Sequence, residues 1–172
     1  FSEKIMRLNA DGTKDSSFTA PSLSAEVYVI RPLPNGKLLV GGFFNGVLVK
    51  LNADGSKDSS FVPPTFDPFS SVTELLVLDD GKILVGGYFT EGLIRLNADG
   101  SKDSSFVAPA FDSGVLKIKM LKNGQLLVGG TFTEYLNRLE INGSKDTTFM
   151  PPAFDNGIRD IVELSDGKLL VG

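Results

Sequence analysis

Short apolar segments alternate with polar, glycine-containing turns along the whole chain. In the second unit of this pattern, the segment Val72–Leu78 is apolar at its first, fourth and seventh positions, a spacing that by itself is compatible with a helix. Seven residues between turn signals are too few for a helix, and β-branched residues are frequent, so we predict a strand with a β-bulge. The near-continuous apolar run Lys82–Gly87 follows and predicts a strand buried on both faces. Its glycine pair predicts a close approach of neighbouring backbone.

Tight turns separate these segments. The dipeptide Asp80-Gly81 lies between the first two strands and predicts a type I′ turn. A third strand is predicted around Ile94, before the turn Asn97–Gly100, and a short fourth strand is predicted around Phe106. Four short strands joined by tight turns predict an antiparallel meander.

The meander is repeated along the chain. The motif Asp-x-Ser-Phe, with one Asp-Thr-Thr-Phe variant, begins at Asp15, Asp58, Asp103 and Asp146, at intervals of about 43 residues. The second unit is two residues longer, around Pro68 and Phe69, which indicates a tolerant loop. A four-stranded unit of this length is typical of one β-propeller blade.

We therefore predict an all-β fold, a β-propeller of four-stranded antiparallel blades forming one domain over residues 1–172. The predicted blades are residues 27–71, 72–114 and 115–157, and a blade shared by 1–26 and 158–172. The end of the chain falls two residues short of its start in repeat register. Three arrangements stay open: a closed four-bladed ring, a part of a longer array, and two chains that join into an eight-bladed ring. Because the chain begins at Phe1 rather than Met, it is expected to be a processed form or a fragment.

Composition narrows the functional classes. The chain has no histidine and no cysteine, which excludes Ser-His and Cys-His catalysis and thiolate chemistry. The net charge is −4 with scattered Lys and Arg, which argues against a nucleic-acid surface, and no apolar run is long enough for membrane insertion. We predict a protein that is not an enzyme. The less favoured hypothesis of an enzyme is a hydrolase with paired acids in the central channel. Glu74 is one of the acidic residues that occur in only one unit and would be candidates for such a pair.

The repeated Asp residues invite a calcium interpretation, because Asn52, Asp54 and Asp58 resemble the start of an EF-hand loop. However, Lys50 occupies the place of the first acidic ligand, and no bidentate Glu follows at the required distance. We therefore predict no metal and no cofactor, and interpret these Asp side chains as turn-capping groups. The cations at the Lys50 position of each unit are expected to pair with the repeated Asp, whereas a ring of anion-binding cations is the alternative.

Recognition is predicted at one rim of the propeller, where the loops differ between units. The repeated Phe residues are expected to fill the core between blades. The predicted binding residues are the unit-specific ones of these loops: Phe43, Asn45, Phe69, Tyr88, Glu91, Glu134, Tyr135 and Arg159. Exposed aromatic residues among them would anchor a protein or a glycan.

The segments Asp80–Phe89 and Ile94–Phe106 resemble the delta-60 repeat, also described as the DUF5122 β-propeller family. The resemblance covers essentially the whole chain, although Leu139–Gly143 departs from the usual Leu-Asn-Ala-Asp-Gly. It implies a β-propeller from a secreted or surface-exposed bacterial protein, often with long arrays of repeats and with no shared catalytic residues. We accordingly expect a non-enzymatic interaction or structural module that meets a protein or glycan at the variable rim and is able to self-associate. A glycan- or small-ligand-binding propeller is the alternative.

Overall fold

The computed structural model describes residues 3–172, which form eleven strands and no helix. None of these residues therefore lies in a helix that would be long and apolar enough to cross a membrane. The strands are β1 (Glu26–Pro32), β2 (Leu38–Phe43), β3 (Leu48–Leu51), β4 (Ser71–Val77), β5 (Ile83–Tyr88), β6 (Leu93–Leu96), β7 (Val115–Met120), β8 (Leu126–Gly130), β9 (Leu136–Leu139), β10 (Ile161–Glu163) and β11 (Leu169–Val171). The prediction of an all-β fold is confirmed.

The strands form four antiparallel sheets in chain order. Three sheets have three strands each, β1-β2-β3, β4-β5-β6 and β7-β8-β9, and the last sheet consists of β10 and β11. The predicted fourth strand is not formed in the described residues. After β6 the chain makes only a single bridge, between Leu96 and Lys102, and then turns so that the Phe106 amide bonds to the Asp103 carbonyl. The Asp103 side chain accepts hydrogen bonds from the backbone and side chain of Ser105, and such local bonds compete with strand pairing.

The first strand of each three-stranded sheet contains the predicted irregularity. The pairing of β4 with β5 shifts register between Val72 and Glu74, and β1 and β7 shift at the equivalent places. The predicted role of the glycine pair is also confirmed. A Cβ on Gly87 would lie 2.0 Å from the Ser71 carbonyl oxygen, and one on Gly86 would lie 2.7 Å from the Val115 side chain of the next sheet. These two glycines therefore permit the bulge and the close packing of successive sheets.

The turn between the first two strands differs from the predicted type I′ geometry. Gly81 has a φ of 82°, but Asp80 is not among the residues with positive φ. The Gly81 amide bonds to the Leu78 carbonyl, and the Leu78 amide bonds to the Lys82 carbonyl. The loop is therefore a three-residue hairpin in which glycine alone takes the left-handed conformation. In the first unit Pro34 precedes Asn35-Gly36, and because proline has no amide hydrogen it cannot form the second hydrogen bond of a two-residue hairpin.

Successive sheets pack on one another through apolar clusters. Phe61, which follows the first sheet in the chain, belongs to the same apolar cluster as Val72 and Leu75 of the second sheet. The repeated Phe residues fill the space between units, as predicted: the Phe66 ring lies 5.2 Å from the Phe89 ring, and the Phe111–Phe132 pair repeats this contact. In the described residues the contacts run from each sheet to the next, and the last sheet does not close on the first. The four repeats form an open arc rather than a closed four-bladed ring.

Candidate functional site

The variable rim loops are tied to their neighbours by short polar contacts. Asp67 accepts a hydrogen bond from the Thr90 hydroxyl, and Asp112 accepts bonds from the amide and hydroxyl of Thr133. The loops that contain Thr90 and Thr133 are thus hydrogen-bonded to the preceding repeat. In the first repeat the backbone amide of Asn45 instead donates to the Ser24 hydroxyl at 2.9 Å. The rim is a firmly held surface on which exposed side chains have defined positions.

A cleft of about 640 Å³ opens on this rim, between the β2–β3 loop of the first repeat and the segment that leads to β4. Its lining includes three predicted binding residues, Phe43, Asn45 and Phe69, together with Pro63 and Pro64. This volume lies within the range of ligand sites in proteins, roughly 300–1,000 Å³. Clefts at the equivalent place in other repeats have volumes of about 680 Å³ and 460 Å³. The cleft described here differs from them by the two-residue insertion that contains Phe69, which exists in only one repeat.

Phe69 is the most unusual residue of the cleft. Its side chain is 88% exposed, and its backbone has a φ of 68°. A bulky residue is unfavourable in this left-handed region, where glycine is tolerated freely. Neither packing nor backbone preference explains a phenylalanine at this position, and unfavourable backbone conformations cluster at binding sites.

Replacing Phe69 by Gly is expected to leave the free energy of unfolding unchanged or to raise it by up to about 1 kcal/mol, because backbone strain is relieved and little buried surface is lost. Urea denaturation measures the change. Phe61→Gly is the matched control, since this ring is buried and its loss should cost more than about 3 kcal/mol. A clear destabilisation by Phe69→Gly would show that the ring supports the fold.

A cation at the cleft has no acidic partner among the described residues. In three repeats the residue at this position pairs with a glutamate: Lys14 with Glu3, Lys102 with Glu91, and Lys145 with Glu134. In the first repeat Gly46 replaces the glutamate, and Lys57 lines the cleft without an ion pair. Lys57 was missed by the sequence analysis, although the replacement of Glu by Gly in one repeat is a signal that could have found it.

The other predicted binding residues lie elsewhere on the chain. Glu91 and Glu134 belong to the repeated ion pairs just described. Tyr88 covers Gly114, and its hydroxyl lies 3.3 Å from the Thr131 hydroxyl. Tyr135 has a φ of 59° and packs on the last core cluster, whereas Arg159 is exposed before β10. The structure therefore brings together three of the eight predicted residues.

The repeated cations and Asp residues form internal networks. In the repeat that contains β4 to β6, Arg95 donates from Nε to Asp103 Oδ2 at 2.8 Å. Its guanidinium lies 4.9 Å from the centre of the Phe106 ring. Lys82 adds a second contact to Asp103 at 2.6 Å. The equivalent cations, at the position that the sequence analysis weighed as an anion-binding ring, are Arg7, Lys50 and Arg138, and each pairs with its own Asp. The predicted ion pair is thus formed in all four copies.

These contacts keep the repeated carboxyl groups ionised. Hydrogen bonds from Lys82 and Ser105 lower the pKa of Asp103 far below its usual value. At the start of the chain, hydrogen bonds from Ser17 and then Arg7 lower the pKa of Asp15 to about 2. The turn residue Asp54 accepts hydrogen bonds from the Ser56 amide and hydroxyl, which is the predicted capping role.

The inner strands carry a further pair of ion pairs. Arg31 on β1 donates to Glu74 on β4 at 2.7 Å, and Lys117 on β7 lies 2.8 Å from Asp160. Burial raises the pKa of Glu74, although the contact with Arg31 opposes this. Both acids are held by a cation on a neighbouring strand, an arrangement typical of structural ion pairs.

The fold and its repeated networks define a β-propeller repeat protein with antiparallel sheets in series. A family model, the DUF5122 β-propeller domain of unknown function, matches residues 4–18, 33–61, 78–106 and 121–149. These segments cover more than half of the chain, and the chain belongs to this family. No curated protein matches it in sequence.

Solved structures share the fold at low sequence identity. A catalytically inactive variant of virginiamycin B lyase from Staphylococcus aureus, with quinupristin, is 16% identical with a TM-score of 0.74, over 99% of this chain and 62% of that one. A protein of unknown function from Bacteroides caccae is 18% identical with a TM-score of 0.64, over 98% of this chain and 61% of that one. The extracellular domain of a hybrid two-component system from B. thetaiotaomicron is 22% identical with a TM-score of 0.66, over 96% of this chain and 22% of that one. The chain spans less than two thirds of the length of each of these proteins.

Proposed function

We propose that the chain is a non-enzymatic recognition module of a secreted or surface-exposed bacterial protein, and that its partner binds in the rim cleft. The observation that carries the proposal is Phe69, a large ring held in solvent in an unfavourable backbone conformation at the only insertion in the repeat. Exposed aromatic side chains next to a concave surface are the usual anchors of recognition. The extracellular domain from B. thetaiotaomicron supports the proposed location by analogy of fold.

The lining of the cleft suggests the chemistry of the partner. Phe43, Phe69 and the prolines Pro63 and Pro64 form an apolar surface, and Lys57 supplies one ammonium group without an acidic partner in the described chain. A protein segment with a hydrophobic side chain and a nearby carboxylate would satisfy both features. Glycan sites rely on several convergent hydrogen-bonding groups, and the largely apolar lining favours a peptide over a glycan.

The test is the selection of binding peptides from a displayed random library, followed by affinity measurement with purified peptide. We expect the selected peptides to contain an acidic and a hydrophobic residue, and Phe69→Ala to weaken binding at least tenfold, since aromatic anchors dominate such interfaces. Lys57→Ala should weaken binding less, and only at low salt, because a rim charge is screened. Tyr28→Ala is the matched control, because Tyr28 is exposed but lies outside the cleft.

A glycan array probed with the same variants tests the alternative. Binding of an acidic glycan that depends on Phe69 would replace the peptide by a glycan as the partner. Peptide or glycan binding that is unaffected by Phe69→Ala, or no binding in either selection, would overturn the proposed role of the cleft.

A further inference from the structure

Another cavity lies at the opposite end of the strands from the rim cleft. It has a volume of about 370 Å³ and opens between the β4–β5 hairpin of one repeat and the end of β7 in the next. This volume falls within the range of small-molecule sites, roughly 300–1,000 Å³. Apolar side chains and two carboxylates meet there: Leu76, Val77, Met120 and Ile141, with Asp79 and Asp80.

A polar bridge that spans the neighbouring boundary between repeats is absent at this cavity. At that neighbouring boundary, the Lys122 amide donates to Glu163 Oε2, and the Lys122 ammonium group donates to the Leu164 carbonyl. At the cavity, Asp79 and Met120 occupy the repeat positions of this lysine and this glutamate. A carboxylate has no proton to donate, and a thioether is a weak acceptor. The described residues therefore form no such bridge here, and the space between the two repeats stays open.

One wall of the cavity is formed by a residue that occurs once in the repeat. Ile141 stands where the other three repeats have alanine, at Ala10, Ala53 and Ala98. It is 46% exposed, and its carbonyl accepts a hydrogen bond from the Arg95 guanidinium, which holds the backbone of this wall in place. The larger side chain extends the apolar lining, and contiguous exposed apolar surface is typical of ligand-binding grooves.

The opening of the cavity carries negative charge. Asp79 and Asp80 are both exposed, and neither forms an ion pair with a described residue. The cation in the lining, Arg95, is already paired with Asp103 at 2.8 Å. The cavity therefore combines an apolar interior with two carboxylates that have no cationic partner in the described part of the chain.

We propose that this cavity binds small organic ammonium ions. The apolar part of the ligand lies against Met120 and Ile141, where its burial is favourable and the flexible methionine adapts to its shape. The ammonium group lies beside Asp79 and Asp80 and donates charge-assisted hydrogen bonds to them. The same two carboxylates repel an anionic ligand. The site is separate from the rim cleft and does not depend on the function proposed for that cleft.

Three probes of similar shape and different charge test the proposal: phenethylamine, phenethyl alcohol and hydrocinnamate. Each is titrated into the isotopically labelled chain and followed by amide signals in nuclear magnetic resonance spectra. The signals of Asp79, Met120 and Ile141 should shift with phenethylamine. The amine should bind about two- to fivefold more tightly than the alcohol, which is the usual strength of an exposed ion pair, and the carboxylate should bind most weakly. The preference for the amine should decrease at high salt, because exposed charges are screened.

Substitutions separate the apolar from the charged contribution. Ile141→Ala introduces the residue of the other repeats and should weaken amine and alcohol alike, by at least about threefold. Asp79→Asn should reduce the preference for the amine and leave alcohol binding unchanged. Asp79→Lys combined with Met120→Glu gives this boundary the residues of the bridged one and should abolish binding of all three probes. Val107→Ala and Asp155→Asn are the matched controls, since both residues are exposed and lie outside the cavity.

Circular dichroism verifies that each variant is folded, and the rim cleft supplies a further control. Phe69→Ala should leave phenethylamine binding unchanged, and a loss in this variant would place the amine in the rim cleft and overturn the proposal. No shift of the cavity signals at millimolar phenethylamine would also overturn it. The same holds for an amine that binds no more tightly than the alcohol, and for binding that survives both Ile141→Ala and the double substitution.

Discussion

Replacement of Leu84 by Ala is expected to lower the free energy of unfolding by about 2–5 kcal/mol, the usual cost of truncating a fully buried leucine. Leu84 is 0% exposed and shares a cluster with Val115 and Ile118 of the next sheet. The loss combines the transfer free energy of the removed methyl groups with the cavity left in a packed interior. Urea denaturation followed by circular dichroism measures it.

The repeat supplies a matched control at the same position. Leu170→Ala should cost less than about 1 kcal/mol, because most of this side chain is already in contact with solvent. Equal losses at the two positions would contradict the open end of the arc.

Replacement of Asp103 by Ala is expected to lower the melting temperature on the order of 10 °C, because it leaves a buried cation without its partner. Arg95 and Lys82 both contact Asp103 Oδ2, and the Arg95 side chain is only 9% exposed. Asp79→Ala is the control, since Asp79 is an exposed carboxylate. A similar change for both variants would show that the network contributes little.

The pH dependence of this difference follows from the lowered pKa of Asp103, caused first by Lys82 and then by Ser105. A carboxyl group whose pKa is lower in the folded than in the unfolded state stabilises the fold above its unfolded pKa, near 4, and loses this contribution as the pH falls further. The unmodified chain should therefore lose stability below pH 4 more steeply than Asp103→Ala. Melting curves between pH 7 and pH 2 test this. A constant difference over that range would contradict the ion-pair explanation.

Local sequence predicted most of the repeat because its signals are short-range. The irregular first strand around Val72, the buried second strand and the glycine pair follow from residue type and spacing, and all are confirmed. The prediction of a fourth strand was wrong because the Asp103 side chain accepts a hydrogen bond from the Ser105 backbone amide and so stabilises a turn. The prediction of a type I′ turn was wrong because Asp80-Gly81 also suits a three-residue loop, in which only Gly81 needs a positive φ.

The sequence predicted the location of the candidate site better than the residues that form it. The insertion at Phe69 pointed to one loop, and the structure joins it with Phe43 and Asn45 in a single cleft. The ion-pair role of Glu91 could be assigned only from the structure, because a glutamate 11 residues before a lysine is not a local pattern. Lys57 could have been found by comparing the repeats, since Gly46 stands where the other repeats have glutamate.

The sequence by itself determined the repeat, its length, the positions of its turns and the residues that differ between copies, since periodicity and glycine placement act within a few residues. The tertiary structure decided how the repeats curve, which side chains meet between sheets, and where the arc stays open. Those outcomes depend on packing between residues far apart in the chain, such as Leu84 with Ile118, 34 positions later. Identical leucines at one repeated position, such as Leu84 and Leu170, therefore differ in burial because different contacts surround them.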